Sequence, residues 1–168
     1  MKCTVCGIGM ANKVERKNYP ARYNGDAVDV PSVQVFHCGE CGEDFLTPEL
    51  GRALSVAVKN EVRKKLGLLP PERITAIREK AGFTQANLEA ALGQGPKVVV
   101  RWESGKVIQS KAADSILRLL ERQPNIRLHL VEIEKQRSKQ QQKYGRHRAR
   151  TATGGARAVA QRRSGRPL

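Results

Sequence analysis

The chain has 168 residues, enough for one ordinary domain or two small ones, and its 4% aromatic content argues against one large core. It carries 31 Lys and Arg against 16 Asp and Glu, and residues 135–168 hold 11 of these bases and no acid. Such a surplus favours a polyanionic partner, nucleic acid first and an acidic membrane surface second. No apolar run approaches the roughly 18 residues of a spanning helix, so we expect a soluble, cytoplasmic protein without a membrane partner.

Two Cys-x-x-Cys-Gly sequences mark the N-terminal region, one at Cys3 and Cys6 and the other at Cys38 and Cys41. Two residues between thiolates let a tight turn direct both sulfurs at one ion, and the following glycine permits a left-handed backbone there. Because four thiolates leave no open position for water, the pattern predicts one structural Zn²⁺ per chain rather than a catalytic metal. Two disulfides or a redox pair are the alternatives, and the expected reducing compartment favours zinc.

The segment between the two pairs is rich in β-branched and aromatic residues, which predicts short antiparallel strands. Asn24-Gly25-Asp26 and Pro31-Ser32 are the predicted turns. His37 is an alternative metal ligand, but four thiolates already satisfy the ion, so a partly exposed histidine is the simpler interpretation. A module this small buries too little surface to fold alone, and metal binding should decide whether it folds.

A long amphipathic helix is predicted next, with Thr47 as its cap, Pro48 in its first turn and Gly67 at its end. Its apolar stripe consists of Leu50, Ala53, Leu54, Ala57, Val58, Val62 and Leu66. Its last turn is basic, which suits the helix dipole, and we interpret it as a solvated helix end. The residues concerned are Arg63, Lys64 and Lys65.

Leu69-Pro70-Pro71 predicts a stiff joint that separates a zinc-binding domain at 1–68 from an all-α domain at 69–135. The predicted helices of the second domain are 72–80, 84–92, 96–103, one from the Ser110 cap to Pro124, and one within 125–135. The last of these has apolar residues on two faces, which suggests burial against a partner subunit. The predicted fold class is therefore α+β, with a small zinc-bound β-rich domain followed by a helical one.

The stretch from Phe83 to Gly105 predicts two short helices around a tight turn. Thr84 can cap the first helix, Gly93 and Gly95 bracket the turn, and Pro96 suits the first position of the second helix. The alternative is an ordinary helical hairpin with a solvated charged face.

The second helix of this hairpin has the pattern that insertion into a DNA major groove requires. Val99 and Trp102, three residues apart, form its buried stripe. Lys97, Val98 and Arg101 are then expected to point outward.

This hairpin resembles the helix-turn-helix signature of the lambda-repressor-like, Xre-type domains. The matching residues are Thr84-Gln85, Leu88, Leu92-Gly93, Val99, Arg101-Trp102-Glu103 and Gly105. Two Cys-x-x-Cys-Gly sequences ahead of such a domain, with a Pro-Glu joint, resemble the MqsA (YgiT-type) family of zinc-binding antitoxins over about residues 1–133. The resemblance implies a zinc-bound domain that binds a toxin, commonly an RNA-cleaving one, and a dimerising domain that represses its own operon.

The resemblance also assigns the DNA contacts. The base-reading pair falls on Lys97, where the namesake of the family has asparagine, and on Arg101, which can bind a guanine through two hydrogen bonds. Gln85 resembles the usual phosphate-contacting glutamine, and Val98 suits a thymine methyl. Glu89 occupies a position where Xre-type domains usually have alanine, so we expect either looser helix packing or a side chain turned outward.

The predicted function is an antitoxin and autorepressor that binds a palindromic operator as a homodimer and neutralises a cognate toxin, an mRNA interferase by resemblance. No catalytic constellation appears, so a non-enzymatic role is predicted. The alternatives are a stand-alone helix-turn-helix regulator and an RNA- or ribosome-associated protein. Residues 136–168 predict a disordered basic tail, either an arm that contacts phosphates or a solvated extension without a specific role.

Overall fold

The computed structural model describes the backbone of residues 1–163 and the side chains of residues 1–144. In chain order its elements are β1 (Ala11–Tyr23), β2 (Asp26–Cys38), β3 (Asp44–Phe45), α1 (Pro48–Lys65), α2 (Pro71–Lys80), α3 (Gln85–Ala91), α4 (Val98–Glu103), α5 (Lys111–Arg122) and α6 (Ile126–Arg163). A small sheet followed by helices confirms the predicted α+β class. Among the described helices, none combines the length and the apolar character that crossing a membrane demands.

A long antiparallel hairpin forms the N-terminal sheet, with β3 added along β2. Its turn lies at Asn24 and Gly25, whose φ angles of 50° and 94° are both positive, as two-residue hairpin turns require. Antiparallel strands are confirmed, but each of the two main strands has 13 residues and is not short. The predicted turn at Pro31-Ser32 is wrong, since both residues lie within β2. Pro31 is left out of the strand register, as is Asn18 across from it, so the missing proline N–H disrupts no pairing.

The helix α1 packs on one face of the hairpin. The apolar side chains between them form the core of this domain. The buried members are Val28, Val30, Val33, Val35, Val58 and Val62. The predicted cap of α1 is confirmed, because Thr47 Oγ1 accepts a hydrogen bond from the Leu50 amide at 3.4 Å. Capping and an apolar stripe together direct α1 onto the valine face.

A second apolar core joins α2 to α5, and its most deeply buried residues are Ile74, Leu88, Val99 and Leu117. The hydroxyl caps predicted at Thr84 and Ser110 are both present. The start of α4 differs from the prediction, since Lys97 has a left-handed backbone with φ of 62° and the helix begins at Val98. Pro96 therefore precedes the helix instead of opening it.

The two domains meet at a buried polar junction. Arg63 was predicted to be solvated, which is wrong, because only 1% of it is exposed. Its guanidinium donates to Gln109 Oε1 at 3.3 Å and to the Val107 carbonyl, both in the helical domain. The Gln109 amide in turn donates to the Leu69 carbonyl at 2.7 Å and to Asp114 Oδ1 at 3.1 Å. A buried donor needs such partners, so the junction holds the end of α1 in a fixed position.

The last helix is much longer than predicted. Its predicted end was residue 135 and disorder was predicted beyond, but α6 continues to Arg163, and residues 164–168 lie outside the described part of the chain. Among the described side chains, those of residues 136–144 belong to neither apolar core. The Gln, Lys, Arg and Ala residues of this segment are nevertheless strong helix formers, so the backbone can be helical without a core.

Candidate metal centre and candidate nucleic-acid interface

Four cysteines converge at the open end of the β1–β2 hairpin. Their sulfur atoms all lie within 4.8 Å of one another, and all four are free thiols. The Cys3–Cys41 and Cys6–Cys38 sulfur pairs are each 3.8 Å apart. A tetrahedral ion with metal–sulfur bonds of about 2.3 Å places its ligands about 3.8 Å apart, so the four sulfurs fit such an ion.

The fold brings the two cysteine pairs together through the strand register. The first pair precedes β1, and the second begins at Cys38, the last residue of β2, which the hairpin pairs with Ala11. Both turns have the predicted form, since Gly7 and Gly42 have φ angles of 69° and 72°. The Gly7 amide donates to the Cys3 carbonyl at 3.2 Å, and Gly42 makes the same bond in the second turn at 3.0 Å.

Backbone amides around the site favour the thiolate form that metals bind. The amides of Gly9 and then Ile8 lower the pKa of Cys6 to about 6. Gly9 was not singled out from the sequence, yet a Cβ added there would lie 2.7 Å from Cys38 Sγ and 2.6 Å from Glu40 Cγ. This position therefore requires glycine if the two turns are to approach each other. The signal in the sequence is a glycine three residues after Cys6, just before the strand.

His37 contributes to a neighbouring ionic cluster. Its Nδ1 lies 2.8 Å from Asp44 Oδ1 and 3.0 Å from Arg16 Nη2. Arg16 also holds the pKa of Asp44 at about 2, well below its usual value, through a side-chain hydrogen bond. Among the described residues, the metal-capable group at this site consists of the four cysteines without His37.

The predicted DNA-reading residues lie on and around α4. Lys97 and Arg101 are exposed and one helical turn apart, with the Arg101 amide donating to the Lys97 carbonyl at 3.2 Å. Val98 was predicted to point outward, but it is half-buried and packs against the helical core. Val100 is the exposed valine, at 40%. The outward surface is therefore formed by Lys97, Val100 and Arg101, because α4 begins later than the sequence suggested.

Glu89 caps α4 from inside the domain. It is 7% exposed, and its Oε2 and Oε1 accept hydrogen bonds from the Lys97 amide at 3.1 Å and the Val99 amide at 3.0 Å. The outward side chain that was one of the two predicted outcomes is therefore wrong. A carboxylate at the start of a helix satisfies amides that lack intrahelical partners and interacts favourably with the helix dipole.

A second carboxylate holds the other end of α4. Glu103 accepts a hydrogen bond from Arg78 Nε at 2.6 Å and another from Gln85 Nε2 at 2.6 Å. Gln85, predicted to contact phosphate, is thus half-buried with its amide directed at Glu103. An α4 of six residues is too short to be stable alone, so these two carboxylates and its buried side chains determine its position.

The fold and the site define a class of α+β proteins in which four cysteines that could hold a metal ion close a small sheet and a helical unit follows it. The chain belongs to the MqsA antitoxin family, because the family model for the antitoxin component of the bacterial toxin-antitoxin system, MqsA, matches residues 1–133. It is also similar to Antitoxin MqsA of Escherichia coli (strain K12), with 26% identity over 128 residues, which cover 75% of this chain and 96% of that protein. The predicted family is confirmed, and the match covers both domains but not residues 134–168.

Proposed function

We propose that this chain is a type II antitoxin that neutralises a cognate toxin, an mRNA interferase, and represses its own operon by binding a palindromic operator as a homodimer. The observation that carries the proposal is the family match, because residues 1–133 include the thiolate centre as well as α4. In this proposal the N-terminal domain binds the toxin and the helical domain binds DNA.

Zinc is the proposed metal, one ion per chain. The donor set supports it, since four thiolates at tetrahedral spacing suit a soft or borderline ion and leave no coordination position for water. The ion would be held by Cys3, Cys6, Cys38 and Cys41, and it would fix the two ends of the hairpin to each other. Its proposed contribution is structural, since it completes a domain that is then able to bind the toxin.

The proposed DNA surface is the exposed side of α4. Arg101 would bind guanine through two hydrogen bonds, and Lys97 would contact a base edge or a neighbouring phosphate. Val100 takes over the thymine-methyl contact predicted for Val98. The main proposed role of Gln85 is its hydrogen bond to Glu103. Its side-chain amide would contact phosphate only with the atoms that this bond leaves free.

Homodimerisation is proposed through exposed apolar residues near the end of the helical domain. They are Leu119, Leu128 and Ile133, on α5 and α6. A two-fold dimer would place two α4 helices about one helical turn of DNA apart, which matches the symmetry of a palindromic operator.

Arg101→Ala separates the two halves of the proposal. We expect the variant to lose operator preference by about 10- to 100-fold, because a bidentate guanine contact contributes about 1–3 kcal/mol of discrimination, while it still neutralises the toxin. Footprinting on the upstream region of the operon measures the first effect. Arg122→Ala, which removes an exposed base from α5, is the matched control and should keep the footprint.

Co-expression with the product of the adjacent open reading frame tests the antitoxin half. The chain should restore growth of cells that express this product, and Arg101→Ala should restore it equally well. If neither the wild type nor Arg101→Ala restored growth while the wild type still gave a footprint, the chain would be a stand-alone transcription regulator. Rescue without any footprint would remove the repressor half instead.

A further inference from the structure

The last helix passes directly beside the α3–α4 hairpin. At its beginning, Arg127 stacks over the ring of Phe83, 5.3 Å from the centroid, next to the start of α3. Ten residues later, Arg137 Nη1 lies 3.4 Å from the position of a Cβ added to Gly93, at the end of α3. The helix α6 therefore runs alongside α3 in the same direction, and it passes the turn that leads into α4.

Beyond Arg137, which lies at the end of α3, α6 continues to Arg163. At 1.5 Å per residue, the part from 138 to 163 is about 39 Å long, which corresponds to about 11 base pairs of duplex. It begins at the turn before Lys97, so it leaves the domain at the same end as the surface proposed to read DNA. The family match ends before this extension.

The extension is basic along its whole length. Its eight bases are Lys139, Lys143, Arg146, Arg148, Arg150, Arg157, Arg162 and Arg163, and it contains no acid. Among the described side chains, Lys135, Arg137, Lys139 and Lys143 are all exposed. The nearby Glu132 and Glu134 bond to Gln136 and Ser138, and within the part of the chain whose side chains the structure describes they form no ion pair with these bases. Like charges on one helix repel each other, and a polyanion removes that penalty.

A second helix is a poor partner for this segment. Between Ile133 and Tyr144 it has no apolar residue, and beyond Tyr144 its one apolar residue larger than alanine, up to residue 163, is Val159, so it lacks the regular a/d stripe with which a copy of itself could form a coiled coil. A helix that is polar on all sides gains little from covering by another protein. Phosphate groups suit it better, because Lys and Arg contact them without regard to sequence.

We propose that α6 beyond Arg137 is a second DNA-binding element, which follows the phosphate backbone of the duplex that flanks the operator half-site. It adds affinity without base recognition, whereas α4 provides the sequence preference. This inference rests on the proposed operator binding.

The test compares the full-length chain with a neutralised variant in which Lys139, Lys143, Arg146, Arg148 and Arg150 are all replaced by Gln. Gln is also a strong helix former, and circular dichroism checks that the helix content is kept. The matched control replaces Gln140, Gln141 and Gln142 by Ala, which leaves the charge unchanged. A chain that ends at Tyr144 is the second variant. Affinity is measured by fluorescence anisotropy against salt on two duplexes, the operator core alone and the same core with about 15 flanking base pairs on each side.

We expect the flanks to steepen the salt dependence of the wild type and of the Gln→Ala control more than that of the neutralised or shortened chains, which keep only some of the bases. Each phosphate contact contributes about 0.9 to the slope of log K against log salt, so the slopes should differ by about 2 to 4. Equal slopes for the wild type and the neutralised variant on the flanked duplex would overturn the inference. If replacing the five bases by Gln weakened binding to single-stranded RNA and to neither duplex, the inference would be overturned and the partner of the segment would be RNA.

A scrambled core in the flanked duplex distinguishes this inference from the proposed repressor function. Loss of preference for the operator core over the scrambled core would remove the repressor function. The effect of neutralisation on the salt slope should persist on the scrambled duplex, because the proposed phosphate contacts carry no sequence information.

Discussion

The two domains of this chain are stabilised in different ways. In the N-terminal domain, six valines on the hairpin and α1 form a small core, and the hairpin ends meet at four thiolates. The helical domain has a core of twelve buried apolar residues drawn from four helices and their connections. We therefore expect the sheet domain to depend on a bound ion for its stability, whereas the helical domain has a core of its own.

The largest expected effect comes from Cys41→Ser, which removes one ligand of the four. The N-terminal domain should lose its metal and unfold, because structural zinc contributes on the order of 10–16 kcal/mol to the folding of zinc-finger peptides. The helices from 71 to 122 should remain folded. Metal analysis together with hydrogen exchange resolved by residue measures both outcomes.

Thr4→Ser is the control for this substitution, since it changes an exposed residue inside the other cysteine turn and leaves all four cysteines in place. If the amides of α2 to α5 in Cys41→Ser lost their protection from hydrogen exchange as much as those of β1 and β2, the two domains would not differ in their dependence on the metal.

The buried junction couples the two domains. Arg63→Ala tests this coupling. The substitution leaves acceptors at Gln109 and Val107 without their donor, so it should lower the free energy of unfolding by about 2–4 kcal/mol. We also expect it to split one thermal transition of the metal-bound protein into two, as measured by calorimetry. Lys64→Ala removes the next base, which is exposed, and should change the stability by less than about 0.5 kcal/mol. A single unchanged transition for Arg63→Ala would mean that the junction does not couple the domains.

The smallest effect is expected within the helical domain, at the start of α4. Glu89→Ala removes the acceptor of two amides and should cost about 1–2 kcal/mol, in the range of helix caps. Exchange of the Val99 amide should accelerate more than that of the Leu88 amide, which lies in α3. Glu89→Gln keeps one carbonyl acceptor and should fall between wild type and Glu89→Ala. If each of the two amides exchanged at the same rate in wild type, Glu89→Ala and Glu89→Gln, α4 would not need this cap.

Much of the fold was predictable from the sequence because its signals are local. Thr47, Thr84 and Ser110 each accept a hydrogen bond from an amide three residues on, so the cap can be recognised from its immediate neighbours. The α1 stripe repeats every three or four residues and was recognised in the same way. Strand length was harder to predict, since Pro31 indicated a turn and only the pairing across the hairpin shows that β2 tolerates it.

The thiolate site was also predictable, since two closely spaced pairs of cysteines followed by glycine have few other uses in a reducing compartment. The residues that support this site were harder to predict from the sequence. Gly9 is required because a turn more than thirty residues away approaches it, and His37 faces Arg16 and Asp44 because strands place them side by side.

The sequence by itself determined the α+β class, the two cysteine pairs, the helix caps and the family, because each depends on residue types at short spacing. Only the tertiary structure decided that Arg63 is buried, that Glu89 caps α4, and that Val100 rather than Val98 is exposed. The partners of Arg63 across the junction lie more than forty residues away, and those of Glu89 lie across the turn into α4. A buried polar group is stable only where distant chain segments supply its hydrogen bonds, and that arrangement exists only after folding.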